Sequence, residues 1–151
     1  MSLSSVFDIA GSGMSAQTLR LNTLASNMAN AETVSATAED SYKARYPVFR
    51  AVKEGSVEQH FDSFFREQLD GIGLTPGGVE VASIFESQDE ALRRYDPSHP
   101  LSDEQGYVFV SNVNVVEEMA DMISASRSFD MNAEVANTAK SMMQRLITLG
   151  R

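Results

Sequence analysis

Several residue types are scarce in this chain, and their scarcity excludes whole classes of chemistry. The 151 residues include no cysteine, no tryptophan and only two histidines. Without cysteine there are no disulfides, no thiolate nucleophile and no cysteine-ligated zinc. His60 and His99 each lack a second histidine four residues on and a nearby acid pair, so we interpret both as surface residues and predict no metal site.

Basic charge is scarce as well. The net charge is −9, from 12 basic and 21 acidic residues. Residues 37–111 hold fourteen acidic and seven basic side chains, whereas residues 1–36 and 112–151 each have a net charge of −1. Because no segment carries a basic block, we predict no nucleic-acid partner and no attraction to anionic membranes.

Long apolar runs are missing too. No run approaches the roughly 18–20 residues of a transmembrane helix, so we predict no direct membrane insertion. Residues 1–8 have no positively charged start and no continuous apolar stretch, which is unlike a cleavable secretory signal. If the chain leaves the cytoplasm, we expect it to use another route.

Proline and glycine divide the chain into three parts. All four prolines lie between residues 47 and 100, and no glycine occurs at 14–54 or 107–149. Because both residues break helices, we predict an N-terminal helical segment at 1–36, a β-rich middle at 37–111 and a C-terminal helix within 112–151. Gly11 and Gly13 should weaken the first turns, which places the robust part of the first helix at about 14–31.

Both terminal segments carry an apolar stripe with heptad spacing. In the first, the stripe consists of Leu3, Phe7, Ala10, Met14, Gln17, Leu21, Leu24, Met28 and Ala31. In the second it consists of Met119, Met122 or Ile123, Ser126, Phe129, Asn132, Val135, Ala139, Met142, Leu146 and Leu149. Asn112 or Asn114 can cap the second helix, and Glu117 and Glu118 suit its positive N-terminal end.

The middle segment reads as strands with one helical insert. Strands are predicted at 42–49, at 79–85 and at 106–110, where β-branched and aromatic residues cluster. Between the first two, the apolar spacing predicts a helix near 57–70. The prolines at 97 and 100 predict a loop.

No set of residues points to catalysis or to a cofactor. The pair Glu117 and Glu118 is better explained by helix stabilisation than by acid–base chemistry. The glycines at 71, 73, 77 and 78 do not form a phosphate-binding motif. We therefore predict that the chain is not an enzyme and has no catalytic or cofactor-binding residues.

The outer faces of the two predicted helices are unusual because they carry small neutral polar residues. The first exposes Ser26, Asn27 and Asn30, and the second exposes Ser124, Ser128, Asn137 and Ser141. An ordinary surface helix presents charge to water, so this pattern favours helices that pack on several sides. The alternative is a soluble two-helix hairpin of low charge.

Two sequence blocks carry a resemblance to a known family. Residues 24–33, LASNMANAET, resemble the asparagine-rich motif near the N-terminus of bacterial flagellar rod and hook proteins. Residues 106–119, which include NVNVVEEM, resemble the proximal rod proteins of the flagellar basal body, the FlgC family. The likeness continues through 95–100 and 124–143. Ser111 departs from it, because the family usually has proline there, and 57–69 has no match.

The resemblance implies a structural subunit of the proximal rod, exported without a cleaved signal by the flagellar type III apparatus. It implies self-assembly with other rod proteins, near the base of the rod and the MS ring, into a hollow helical drive shaft across the periplasm. It also implies that the terminal helices form a coiled-coil inner layer. We predict a mainly α fold with a small β domain, in which the long N- and C-terminal helices form an antiparallel coiled coil.

We predict an assembly interface on the helices: Phe7, Met14, Leu21, Leu24, Asn27, Met28, Asn30, Met119, Met122, Phe129, Asn132, Val135, Met142 and Leu146. Two other functions stay open. The chain could be another axial protein, such as a distal rod or hook-junction subunit. It could also be a soluble export chaperone or adaptor, although a chaperone would not need a β-rich middle between neutral helices.

Overall fold

The computed structural model of the chain describes residues 3–53 and 76–149. In that part, two long helices enclose five strands in chain order: α1 (Leu3–Asn30), β1 (Val34–Ser35), β2 (Arg45–Lys53), β3 (Pro76–Glu86), β4 (Leu92–Tyr95), β5 (Tyr107–Val110) and α2 (Val115–Leu149). Roughly half of the described residues are helical; the two terminal helices and the β-containing middle of the predicted fold are present. The helix predicted near 57–70 lies outside the described residues.

Helix α1 begins eleven residues earlier than the robust segment predicted from sequence. It starts at Leu3 and includes Gly11 and Gly13, so the prediction that these glycines weaken the first turns is wrong about where the helix starts. The reason is tertiary, because Gly13 is buried against α2. Tertiary packing routinely overrides the intrinsic cost of glycine in a helix.

Helix α2 begins where its capping residues predict. The Asn114 Oδ1 accepts a hydrogen bond from the Val116 N–H at 3.1 Å, and the Asn114 carbonyl accepts one from the Glu118 N–H. Asn114 is therefore the N-cap. Ser111, which departs from the family pattern, is buried, and its Oγ accepts a hydrogen bond from the Val113 N–H.

The strands form two separate antiparallel sheets. One has three strands in the order β1–β5–β4, and its first strand, only two residues long, pairs with Val110 and Phe109. The other is a two-stranded ribbon of β2 and β3, paired from Arg45 opposite Glu86 to Lys53 opposite Pro76, with register shifts after Val48 and after Val52. The sequence did not predict β1 or β4. We call β2 and β3 together the ribbon.

The interior of the described chain is built mainly from small residues. Seven of its ten buried hydrophobic residues are alanine, and the fully buried side chains of largest volume are Leu24, Val108, Asn27 and Ser111. A small cluster of Ala31, Ala44, Val113 and Tyr42 joins the end of α1 to the strands. Small residues let backbones approach closely, so they position the helices and the ribbon against one another.

Candidate assembly interface

The two helices contact each other through small and polar side chains. A Cβ added to Gly13 would come within 2.9 Å of the Asn132 side chain. Further along, Arg20 pairs with Asp121 at 3.1 Å, and Asn27 bonds to Glu118. The contacts occur in opposite order along the two helices, so α1 and α2 run in opposite directions.

One stripe of large apolar side chains of α1 lies on the side away from the ribbon. Ser12 bonds to the ribbon at Val79, and Leu19 lines the same groove. Met14 and Leu21 each follow these residues by two positions, which is about 200° around a helix. Phe7 and Met28 continue this stripe at intervals of seven. The stripe therefore lies opposite the ribbon.

Helix α2 presents its own apolar residues on the same side. Glu117 and Asp121 both act electrostatically on Tyr46 of the ribbon. Met119 lies two residues from each of them and therefore points away from the ribbon; it is 51% exposed. Ile123 shares that side and is also exposed. We call Phe7, Met14, Leu21, Met28, Met119 and Ile123 the outer helix face.

The predicted interface residues divide by burial into three groups. Leu24, 1% exposed, and Asn27 are buried inside the subunit. Half-buried positions are Met14, Leu21, Met28, Asn30, Met122, Phe129 and Asn132. Exposed positions are Phe7, Met119, Val135, Met142 and Leu146. The placement of Asn27 on an outer face is thus corrected, because its amide is needed inside to satisfy backbone groups.

The last part of α2 carries a second apolar surface. Val135 and Met142 lie 14 and 21 residues beyond Asp121, hence on the ribbon side of the helix. Together with Met131, Ala139 and Val6 they line an open apolar groove. The structure therefore does not bring Val135, Met142 and Leu146 onto the outer helix face.

Asn27 stands at a junction of α1, α2 and the ribbon. Its side chain is completely buried. Its Nδ2 donates to the Arg45 carbonyl at 2.9 Å and to the Glu118 Oε2 at 3.0 Å. Its Oδ1 accepts from the Tyr42 hydroxyl and from the Arg45 N–H, both at 3.0 Å. An amide offers two donors and two acceptor sites, so every one of them is used.

Glu118 and Tyr46 extend this junction. Glu118 is 2% exposed, accepts a hydrogen bond from Asn27 and acts on the Tyr46 hydroxyl of the ribbon. Partial burial, followed by the negative charge of Glu118, raises the pKa of Tyr46 to about 12. Sequence reasoning assigned Glu118 only to the start of the helix and missed this role. The role depends on the buried partner Asn27, which the residue type of Glu118 does not reveal.

Two further side chains bind the ribbon and its flanking residues: Asn112, in the linker between β5 and α2, and Ser12 of α1. The Asn112 Oδ1 accepts from the Ala44 N–H at 2.8 Å, and its Nδ2 donates to the Asp89 carbonyl. At the far end of the ribbon, the Ser12 Oγ accepts from the Val79 N–H at 3.1 Å. Gly78 next to it has a φ of 142°, and a Cβ there would come within 2.5 Å of the Ser12 Oγ.

Among the described residues, no group of three or more histidine or acidic side chains is placed to hold a metal ion. Within the same residues, neither helix combines the length and hydropathy needed to cross a membrane. The helix pair instead presents an apolar surface, formed by the side chains of the outer helix face.

Comparison with known proteins identifies this arrangement. The flagellar basal-body rod protein FlgC of Salmonella typhimurium is 44% identical over 152 residues, and the similarity covers all of both chains. The FlgC of Escherichia coli O157:H7 is 42% identical over 151 residues, again covering both chains fully. The chain belongs to the FlgC family. The FlgC of Borreliella burgdorferi is 37% identical over 154 residues, 99% of this chain and 98% of that one.

Family models locate the likeness to FlgC and its paralogues on the helices. The model described as flagella basal body rod protein matches residues 7–37, which is most of α1 with β1. The model described as flagellar basal body rod FlgEFG protein C-terminal matches residues 104–149, which is β5 and α2. In this FlgC-family chain, all six residues of the outer helix face therefore lie within the matched regions.

Proposed function

We propose that this chain is a structural subunit of the proximal rod of the bacterial flagellar basal body. It assembles with other rod proteins into a hollow helical shaft that transmits motor torque. The observation that carries the proposal is the full-length identity of 44% to a flagellar basal-body rod protein.

The distribution of apolar side chains supports assembly. Phe7 is 45% exposed and Met119 is more so, while alanines fill the interior. Exposed apolar patches on a folded chain mark contact sites. Methionine adapts to differently shaped partners, which suits a subunit that contacts both copies of itself and non-identical neighbours.

The helix pair is proposed to form the coiled-coil layer of the shaft, with the acidic middle segment outward. Residues 37–111 carry a net charge of −7, whereas α1 holds only Asp8 and Arg20 as charged residues. Like charges are tolerated best where water and ions screen them. Neutral serine and asparagine faces stack in a crowded inner layer without that repulsion.

Export and partners follow from the same proposal. The chain leaves the cytoplasm through the flagellar type III export apparatus, without a cleaved signal peptide. Its neighbours are other rod proteins and copies of itself, and it is placed near the base of the rod and the MS ring. Its location is the part of the basal body that spans the periplasm.

One observation favours a second candidate, another axial protein such as a distal rod or hook-junction subunit. The C-terminal family model is described for FlgEFG proteins and not for FlgC. The full-length relatives outweigh it, because they match the middle segment as well as the helices.

Deleting the gene from its host tests the function. A proximal rod subunit leaves basal bodies that stop before the rod is complete, and a plasmid copy restores motility. If the rod were complete and only the hook or distal rod were missing, the chain would be a distal axial protein. If overexpressing a secreted client restored motility, the chain would be a chaperone.

A further inference from the structure

The four hydrogen bonds of Asn27 are not equivalent, because two of them reach the same residue. The amide donates to the carbonyl of Arg45 and accepts from its N–H. In an antiparallel sheet, a neighbouring strand also bonds to both the N–H and the carbonyl of a residue. Two bonds to one backbone unit fix its direction as well as its position.

Other contacts already fix the position of the ribbon's base. Ala44, next to Arg45, is buried in the cluster with Ala31 and Val113, and its N–H is bound by Asn112. The Ala44 carbonyl accepts a hydrogen bond from the Ser87 N–H, which joins the two strands of the ribbon at its base. These contacts hold the base in place, and Asn27 adds the two bonds from α1 that fix the direction of the Arg45 backbone.

A small error of angle at the base is large at the other end. Val79 lies seven residues before Glu86, which pairs with Arg45, so it is about 23 Å from the base along a strand. A rotation of about 10° there moves Val79 by about 4 Å, far more than a hydrogen bond tolerates. The bond from the Val79 N–H to Ser12 therefore forms only when the angle is right.

We infer that Asn27 is a positioning residue that sets the angle of the ribbon on the helix pair. Aspartate cannot replace it, because it has no donor for the Arg45 carbonyl and would place a second carboxylate beside Glu118. An apolar residue can bond to neither group. This role goes beyond rod assembly and does not depend on the proposed function.

Amide hydrogen exchange on the purified full-length chain tests the role, with the Val79 N–H as the remote reporter. In Asn27→Ala we expect exchange at Val79 to speed up at least tenfold, while the amides in the middle of α1 and α2 change less than threefold. Asn30→Ala is the matched control, because within the described residues the Asn30 side chain bonds only to the Ser26 carbonyl of its own helix. It should leave Val79 within twofold.

A second variant guards against loss of the fold. Asn27→Asp with Glu118→Gln keeps both volumes and a hydrogen bond between the two side chains, but leaves the Arg45 carbonyl without its donor. It should release Val79 in the same way. The inference is overturned if Val79 stays protected in either folded variant, or if Asn30→Ala releases it equally. It is also overturned if both Asn27 variants lose protection uniformly, since Asn27 would then stabilise the whole fold without setting an angle.

Discussion

Gly11 and Gly13 lie two residues apart on α1 and meet opposite surroundings. A Cβ at Gly13 would come within 2.9–3.0 Å of three Asn132 side-chain atoms, whereas a Cβ at Gly11 would meet nothing within 4 Å. Glycine in a helix costs roughly 0.5–1 kcal/mol relative to alanine. At Gly13 that cost is offset by the close approach of α2, and at Gly11 it is not.

Gly13→Ala should therefore lower the free energy of unfolding by about 1–2 kcal/mol, through overpacking against Asn132. Gly11→Ala should raise it by about 0.5–1 kcal/mol. Urea unfolding of the two variants measures both effects. Adding Asn132→Ala should remove most of the loss at Gly13, and equal effects at the two glycines would contradict the close packing.

Tyr46 predicts how stability depends on alkaline pH. Its pKa is raised from 10.0 to about 12 in the folded chain, so the folded state keeps the phenol proton that the unfolded state loses. The stabilisation is complete below pH 10 and is lost as pH rises toward 12. Tyr46→Phe should flatten this part of the curve. Unfolding midpoints from pH 9 to about 12 measure it, and identical curves for both proteins would refute the shift.

Among the elements, the helices and their opposite directions could be predicted, but the faces that they turn toward each other could not. The start of α2 could be predicted because Asn114, Glu117 and Glu118 are local sequence signals. The face that each helix turns inward could not be predicted, because apolar periodicity assigns the largest side chains to the interior. Here Gly13, Ala125 and Ala136 fill that place, and large residues such as Met119 remain outside.

The smallest strands escaped prediction for physical reasons. The two residues of β1 are too few to show a period, and β4 reads Leu-Arg-Arg-Tyr with all four residues exposed. Strand β4 forms because β5 pairs with it and because Arg93 lies over the rings of Tyr107 and Phe109. Such cross-strand contacts depend on residues far apart in sequence, as do those of Asn27.

The outer helix face predicts a variant that separates folding from assembly. Met119→Lys should change the free energy of unfolding by less than about 0.5 kcal/mol, because the side chain is exposed in the subunit. It should abolish motility, because a charge would be buried between subunits. Met119→Leu, which keeps an apolar side chain of similar volume at the same position, is the control and should swim. Normal swimming of Met119→Lys would show that this face stays in water.

Over the whole molecule, charge predicts which side of the subunit faces outward in the rod. Glu39 and Asp40 lie in an exposed loop of the middle segment, so Glu39→Gln with Asp40→Asn should leave motility unchanged. Replacing Asn137, which is exposed on α2, by aspartate should abolish it, because like charges would meet in the inner layer. A motility assay with export followed in parallel compares the two sets. If the acidic pair proved essential for motility and the asparagine replacement had no effect, the proposed orientation would be reversed.

The alanine-rich interior has a calorimetric consequence. The heat capacity of unfolding comes mainly from newly hydrated apolar surface, at about 12–15 cal/mol/K per residue in ordinary domains. A subunit that keeps Phe7, Met119 and Ile123 in water already when folded has less such surface left to expose. Its heat-capacity increment should fall below that range, and its stability should vary little with temperature. The missing increment should reappear when subunits associate, so that rod growth weakens in the cold.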